Sequence, residues 1–426
     1  MKALLPLWME DAKAEEVDDS LEQQDDGEDE DDVDGILALI LFEFLKEEEQ
    51  ETFWQKLEAE GRRRRDRKIP RVALLSPKQS PWQKLFSSGN DQALVTVTGF
   101  DHAAFKVMLD MYTPYFEKFT PWTGEQDGTT YRPLQKKSPK NKGGRKRIIM
   151  PHASLGLVLA WYRFRGAEFV LQGWFGFTGS HANVWLRFGR RMLLKALLKS
   201  DNARPAWPDA TQIKELQAII QQHHTSLRDV FCVMDGLKLQ FEQCAGLEEQ
   251  GMYYNGWTHG HYITNLLVFG IDGRIIKTVL NVPGSIHDST LCHWGGVYKE
   301  LSDIYDATGA KCCVDSAFKS NPNPYLIKSS QDVTRCQNPE EVLQSLQATS
   351  LRQAAEWGMR AIQGAFPRLK DKIKFEADAA ERKVMLKLVV LLYNFRVEHV
   401  GLNQIRNTYV PNWSKDATYT ASLFAD

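Results

Sequence analysis

The connections between four apolar, β-prone segments restrict the folds open to residues 230–315. The segments are a first run ending at Asp235, then His261–Ile271, Arg274–Asn281 and Lys311–Val314. The second and third are joined through Asp272-Gly273, a strong signal for a tight hairpin turn. The sequence therefore predicts an antiparallel hairpin that follows one strand and precedes another.

Helical patterns complete this order. They fall around Ser289–Leu301, at Arg352–Ile362 and at Ala379–His399. The resulting order, β-β-β-α-β-α-α, predicts an α/β domain of the ribonuclease-H-like class, a mixed sheet flanked by helices. In that arrangement the first and fourth strands lie side by side and parallel, which brings Asp235 and Asp315 together.

Three carboxylates lie at sequence positions where a metal site is expected. Asp235 and Asp315 each follow a short apolar run, and Glu356 lies in a helical stretch. Carboxylate oxygens are ligands for hard divalent cations, and paired cations support phosphodiester chemistry. We predict Asp235, Asp315 and Glu356 as catalytic residues that hold two Mg²⁺ or Mn²⁺ ions. Asp288 is predicted to cap a helix or, with His287, to support the metal ligands from outside.

Charge is divided unevenly along the chain. Residues 1–35 carry fifteen Asp or Glu and two Lys, a net charge of −13, so the remaining 391 residues carry +11. We expect a disordered acidic tail over 1–35 and a basic body whose partner is a polyanion, double-stranded DNA. A helical region with basic clusters at Arg62–Lys68 and Lys136–Arg147 is expected over 36–150. A nuclear location is expected from these basic runs.

Residues 151–204 are predicted to be helical in three pieces with a helix-turn-helix outline. The pieces are Ser154–Arg165, Ala167–Phe175 and a third from Ala182 to about Leu198, with Ser180 as its N-cap. On the third helix, Asn183 faces bases, and Arg187, Arg190 and Arg191 meet phosphates in this interpretation. The alternative is a helical bundle that packs against the catalytic core. The predicted nuclease domain covers 205–402, and 403–426 forms a C-terminal tail.

Cysteine usage and hydropathy exclude other classes of protein. All six cysteines lie after residue 230 without CxxC spacing, which argues against a disulfide framework or a zinc site. No apolar stretch has the length of a membrane span, so no membrane partner is expected.

Five short motifs follow one another in the second half of the chain. They are Val233-Met-Asp-Gly236, Tyr253–His261, Pro283–Ser289, Val314–Phe318, and Glu356 followed by Phe366–Lys370, with Leu391–Phe395 in the last helix. Together they resemble the motifs of DDE-superfamily transposases of the PIF/Harbinger type. The resemblance implies a DDE nuclease that cuts DNA at transposon ends and joins 3′-hydroxyl ends to target DNA. It also implies a homo-oligomer and a separate Myb-like DNA-binding partner.

The resemblance leaves two positions for the third carboxylate. One alignment of Gln363–Lys370 with the family motif puts the catalytic Glu on Gln363, while Glu356 lies two helical turns earlier. We predict Glu356, because a neutral amide cannot replace a charged ligand. Two alternatives remain open. One is a domesticated, catalytically inactive protein that binds DNA or chromatin, and the other is a nuclease that performs no strand transfer.

Overall fold

The structure, a computed structural model, describes residues 69–123, 131–133, 147–243, 247–318, 323–328, 338–374 and 379–410. The chain divides into two compact units, Met1–Lys68 and Ile69–Asp426. In the first unit only Thr52 and Lys56 are described, both helical. The predicted acidic tail and the basic runs at 62–68 and 136–146 lie outside the described residues. Of the predicted C-terminal tail, 403–426, residues 411–426 also lie outside them, whereas 404–409 form a helix with Ile405 and Tyr409 buried, so the tail prediction is wrong there.

A mixed sheet forms the centre of the second unit. Its strands are β3 (Val230–Gln240), β4 (Tyr254–Asn255), β5 (Gly260–Gly270), β6 (Ile275–Pro283), β7 (Lys311–Val314) and β8 (Leu326–Lys328). Strand β5 pairs antiparallel with β3 and β6, whereas β7 pairs parallel with β3 and β8. The order β6-β5-β3-β7-β8 is compatible with the ribonuclease-H-like class. The parallel pairing of the first and fourth predicted strands is confirmed.

The hairpin turn is confirmed, and its geometry explains its composition. Gly273 has φ +87°, a left-handed conformation that glycine adopts without a steric cost. The backbone N–H of Gly270 donates to the carbonyl oxygen of Arg274 at 2.9 Å and closes the turn. The predicted end of the first strand is wrong, because β3 continues past Asp235 to Gln240 while it pairs with β5.

Helices cover the sheet. They are α7 (Ala210–His223), α8 (Leu247–Tyr253), α9 (Asp288–Trp294), α10 (Val297–Thr308), α11 (Pro339–Ala365), α12 (Ala379–His399) and α13 (Gln404–Tyr409). The buried Asn394 of α12 fixes that helix to the sheet, since its side chain accepts from the N–H and donates to the carbonyl of Ile275, both at 2.8 Å.

Two helix predictions in this region need correction. The single helix expected around 289–301 is two helices, α9 and α10, because Gly295-Gly296 interrupts it and Gly296 has φ +69°. The helix expected at 352–362 is the last part of α11, which begins thirteen residues earlier at Pro339, with the Asn338 side chain accepting from Glu341 N–H as N-cap.

The segment before the sheet is a helical bundle with one small hairpin. Its elements are α1 (Pro81–Ser88), α2 (Asp91–Thr98), α3 (His102–Lys118), β1 (Phe119–Thr123), β2 (Tyr131–Pro133), α4 (Pro151–Arg163), α5 (Phe169–Phe175) and α6 (Gly179–Leu197). Helix α4 is buried from Ala153 through Tyr162. A Cβ on Gly189 of α6 would lie 2.6 Å from Val158 Cγ2, so glycine permits the close α4–α6 contact.

The three helices predicted within 151–204 are present, with one corrected cap. Helix α6 begins at Gly179 with Thr178 at the N-cap position, so Ser180 lies inside the helix. The bundle packs on the region that contains the sheet, where the Tyr162 hydroxyl donates to the carbonyl of Met385 at 3.1 Å. Bundle packing is therefore observed, and a DNA-reading role for these helices stays a prediction. Within the described ranges, no helix is long and apolar enough to cross a membrane.

Candidate active site

Asp235 and Asp315 occupy equivalent positions on adjacent parallel strands. Met234 of β3 pairs with Val314 of β7, and each aspartate is the next residue along its strand. Each carboxylate accepts a hydrogen bond from the following backbone N–H, at 2.7 Å from Gly236 and 2.7 Å from Ser316. The register therefore brings the two side chains to the same edge of the parallel ladder.

Asp288 approaches Asp235 across a glycine. A Cβ on Gly236 would lie only 2.5 Å from Asp288 Oδ1, so the carboxylate of Asp288 rests where any side chain at 236 would stand. The predicted capping role of Asp288 is wrong. His287 holds the N-cap position of α9 without a side-chain cap, and Asp288 is the first helical residue. Its Oδ1 is buried and makes no hydrogen bond to the described residues.

The three aspartates interact electrostatically. Burial raises the pKa of Asp235 from 3.8 to about 6, the Gly236 N–H bond opposes this rise, and Asp315 and Asp288 add to it. Burial also raises the pKa of Asp288, with Lys238 and His287 opposing and Asp315 contributing to the rise. Clustered carboxylates of this kind are typical of cation-binding and catalytic sites.

Glu356 is connected to this cluster through an arginine one helical turn earlier on α11. Arg352 Nη1 lies 3.5 Å from Glu356 Oε1 and 3.9 Å from Asp315 Oδ1. Arg360 Nη2 lies 3.7 Å from the other oxygen of Glu356. The side chains of Asp315 and Glu356 are 38% and 39% exposed, so solvent screens these contacts and an exchange of partners costs little.

Gln363 is displaced along the same helix. It lies seven residues after Glu356 and eleven after Arg352, which correspond to about 10 Å and about 16 Å along the helix axis. Because Arg352 marks the turn that reaches Asp315, Glu356 is the nearer of the two candidate third residues.

The side chains predicted to contact DNA divide into two kinds. Asn183 and Arg187 are exposed on α6. Arg190 is buried, with its guanidinium carbon 3.7 Å from the centroid of the Trp161 ring, and Arg191 forms an ion pair with Glu381 at 2.5 Å. Arg190 and Arg191 are therefore held against the protein, and the phosphate contacts expected of them stay a prediction.

The carboxylates of Asp235, Asp288 and Asp315, which we call the acidic cluster, are ligands of the type that a divalent metal prefers. Their arrangement, however, does not form a complete metal site. The partly buried carboxylates of Asp235 and Asp288, whose charges repel, and the Asp288 Oδ1 atom without a hydrogen bond are what a hard cation would satisfy. Across the described parts of the chain, however, no group of three His, Cys, Asp or Glu side chains converges closely enough to hold an ion. Glu356 instead contacts Arg352 and Arg360.

Sequence reasoning missed Arg352 and Gly236. Arg352 precedes Glu356 by four residues, the spacing at which side chains meet on a helix, so the sequence contained that signal. Its reach to Asp315 depends on how α11 packs on β7. The need for glycine at 236 follows only from the tertiary approach of Asp288.

Comparison with known protein families gives a match over this part of the chain. A family model described as DDE superfamily endonuclease matches residues 234–394. The matched range begins one residue before Asp235 and contains Asp315 and Glu356, so it coincides with the sheet and helices that carry the acidic cluster. The match supports the DDE superfamily. No curated protein and no solved structure matches the chain.

Proposed function

We propose that this protein is a divalent-metal-dependent DNA endonuclease that cuts transposon ends and joins 3′-hydroxyl ends to target DNA, as PIF/Harbinger-type transposases do. The observation that carries the proposal is the β3–β7 register, which sets Asp235 beside Asp315 at the end of the parallel ladder. The superfamily match over the same residues supports it. Double-stranded DNA is the proposed partner, in the nucleus, with a homo-oligomer as the active form and a Myb-like protein as a companion.

Each acidic residue has a proposed role. Asp235, Asp315 and Glu356 would hold the two Mg²⁺ or Mn²⁺ ions. When bound, such ions lower the pKa of an attacking hydroxyl and neutralise charge on the leaving oxygen. Asp288, packed over Gly236 and facing the charge of Lys238, would fix the direction of the Asp235 carboxylate. His287 at the start of α9 would support Asp288.

Nicking of a supercoiled plasmid in Mg²⁺ or Mn²⁺ tests this proposal. We expect the wild type to nick DNA and Asp235→Asn to lose the activity by more than about 100-fold, because the substitution removes a charged metal ligand. Asp303→Asn, which makes the same change on the exposed face of α10, serves as the matched control and should nick normally. Equal nicking by Asp235→Asn and the control would refute the assignment.

Strand transfer requires a second assay. A duplex with a recessed, pre-cut 3′-hydroxyl end and a target plasmid should yield joined products with the wild type and none with Asp235→Asn. Nicking without joining would identify a nuclease that does not transfer strands.

The second candidate function is a catalytically inactive DNA-binding protein. The observation that favours it is the arrangement of α11, where Arg352 and Arg360 contact Glu356 and Gln363 occupies the alternative third position. DNA binding by a wild type that does not nick in either metal would select this alternative.

A further inference from the structure

A basic cleft lies between the helical bundle and the segment that follows α11. It has a volume of about 560 Å³ and is lined by Trp161, Gly166, Glu168, Asn183, Arg187, Arg190, Arg368, Asp371, Lys372, Ile373, Lys374, Glu381, Arg382 and Met385. Six of these side chains are Lys or Arg and three are Asp or Glu, so the lining carries a net charge of +3. We call this surface the basic cleft.

Arg190 is the unusual residue of the basic cleft. It is 8% exposed, and its Nε and Nη2 atoms make no hydrogen bond to the described residues. Burial of a guanidinium without hydrogen-bond acceptors costs several kcal/mol in general. The flat face of the group rests on Trp161, which leaves its N–H edge to supply donors to a ligand.

A second guanidinium group lies close to the Trp161 ring. Arg368 lies 4.7 Å from the Trp161 centroid and forms an ion pair with Glu168 at 2.9 Å. Burial lowers the pKa of Arg190, with Tyr162, Glu381 and Glu168 opposing this shift and Arg368 adding to it. Two arginines held around one ring, one with unused donors, form an arrangement that recognises a tetrahedral oxyanion such as phosphate.

The rim of the basic cleft adds charges that solvent can reach. Arg187 on α6 and Lys372 and Lys374 on the opposite side are exposed. Exposed cations at the rim attract a polyanion and contact its successive phosphates, whereas a small free anion needs only the buried centre.

The basic cleft is also linked to the strand that bears Asp235. Ile373 N–H donates to the carbonyl of Gln240, and Glu242 N–H donates to the carbonyl of Ile373, both at 2.9 Å. Gln240 lies five residues beyond Asp235 on β3, about 17 Å along the strand.

We propose that the basic cleft binds backbone phosphates of the DNA that the acidic residues cut, with Arg190 as the buried anchor and Arg187 and Lys374 at the rim. This inference rests on the proposed function for the identity of the ligand. In this inference α6 contacts the DNA backbone and does not contact the bases. Binding through the basic cleft is therefore independent of DNA sequence.

Equilibrium binding to a labelled duplex of about 20 base pairs, measured over a range of KCl concentrations without divalent metal, tests the proposal. The rim variant Arg187→Gln/Lys374→Gln changes two exposed side chains and leaves the buried centre intact. Its matched control is Lys106→Gln/Lys214→Gln, which removes two charges from exposed helix positions outside the basic cleft.

We expect the rim variant to bind DNA about tenfold more weakly and to lower the slope of log Kd against log salt by about 2, since each lost phosphate contact reduces it by about 0.9. The reduction should be the same for duplexes of different sequence, and the control should retain the wild-type slope. A rim variant that matches the control in both Kd and slope overturns the proposal. So does a wild type that does not bind duplex DNA.

Arg190→Gln tests the buried anchor with a readout that separates binding from folding. Saturating duplex should raise the Tm of the wild type, because a ligand that binds only the folded state stabilises it, and should raise the Tm of the variant much less. An equal DNA-induced shift in both proteins means that Arg190 serves the internal packing alone. If the protein binds DNA through the basic cleft but does not nick it, the proposed enzymatic activity is rejected and this inference stands. If the protein nicks DNA and the rim variant binds as tightly as the wild type, this inference is rejected and the proposed activity stands.

Discussion

Arg352 Nη1 lies 3.9 Å from the Oδ1 atom of Asp315, and this contact joins α11 to the acidic edge of the sheet. The same atom lies 3.5 Å from Glu356, so one guanidinium contacts two of the three carboxylates proposed to bind metal. A cation at this position opposes the mutual repulsion of the acidic cluster, and it lowers the pKa of Asp235.

Replacement of Arg352 should therefore change the ionisation of Asp235. We expect Arg352→Gln to move the pKa of Asp235 above its value of about 6, because one of the opposing positive charges is removed. Carboxyl-carbon NMR titration in metal-free buffer measures this pKa. Arg360→Gln, which removes the other arginine beside Glu356, is the control and should leave Asp235 unchanged. An unchanged titration in Arg352→Gln would mean that solvent screens the contact completely.

The third catalytic position can be decided by paired substitutions on α11. We expect Glu356→Gln to lose nicking by more than about 100-fold and Gln363→Glu to nick at the wild-type rate, since Glu356 lies on the turn adjacent to the one that reaches Asp315. The plasmid assay compares both variants with the wild type. An inactive wild type that gains activity from Gln363→Glu would instead indicate a site that has lost its third ligand.

Gly236 should be intolerant of a side chain. A methyl group there would lie 2.5 Å from Asp288 Oδ1, so Gly236→Ala forces Asp288 away from Asp235 and should destabilise the fold by about 1–3 kcal/mol. Denaturant unfolding measures the loss, and nicking should fall with it. Gly256→Ala places its methyl group in open space and provides the control. Equal stability of the two variants would show that Asp288 moves without a cost.

The raised pKa of Asp235 predicts a specific pH dependence of stability. Its pKa is about 6 in the folded protein against 3.8 for the ordinary group, so the folded state binds this proton more tightly than the unfolded chain. The contribution of Asp235 to stability is present below about pH 4 and is lost as the pH rises through about 6. Above pH 7 the ionised, buried group destabilises the wild type by up to about 3 kcal/mol.

Asp235→Asn removes this titration. We expect the variant to be more stable than the wild type at pH 7.5 in EDTA, and the difference should shrink as the pH falls from 6 to 4. Urea unfolding at four pH values from 4 to 7.5 gives the two stability curves. Asp303→Asn controls for the loss of an exposed carboxylate. A wild-type curve parallel to that of Asp235→Asn would contradict the shifted pKa.

The sequence predicts part of the fold from local patterns and part from the order of its elements. The Asp272-Gly273 turn and the 379–399 helix are confirmed, and both depend on turn chemistry or hydrophobic periodicity that can be read from neighbouring residues. The parallel pairing of the first and fourth strands is also confirmed, and it follows from the order of strands and helices. The end of β3 was misjudged, because the polar Asp235 interrupts the apolar run although hydrogen bonding to β5 continues on its far side.

Contacts between elements that are distant along the chain determine the features that the sequence did not predict. The capping role expected of Asp288 failed because α9 directs its carboxylate over Gly236. Nor did the sequence indicate that Arg190 is buried against the ring of Trp161, nearly thirty residues earlier. In both cases the contacting residue lies on another helix or strand, and the local periodicity of the sequence does not indicate such a contact.

The separation of β3 and β7 along the chain gives the acidic cluster an order of assembly during protein synthesis. A growing polypeptide presents Asp235 first, then Asp288, then Asp315, and the helix bearing Arg352 and Glu356 emerges last. A nascent or prematurely terminated product that stops before α11 has the aspartates without their glutamate. Topology thus restricts the proposed DNA-cutting competence to polypeptides that have been synthesised through α11, without any inhibitor having to restrain shorter ones.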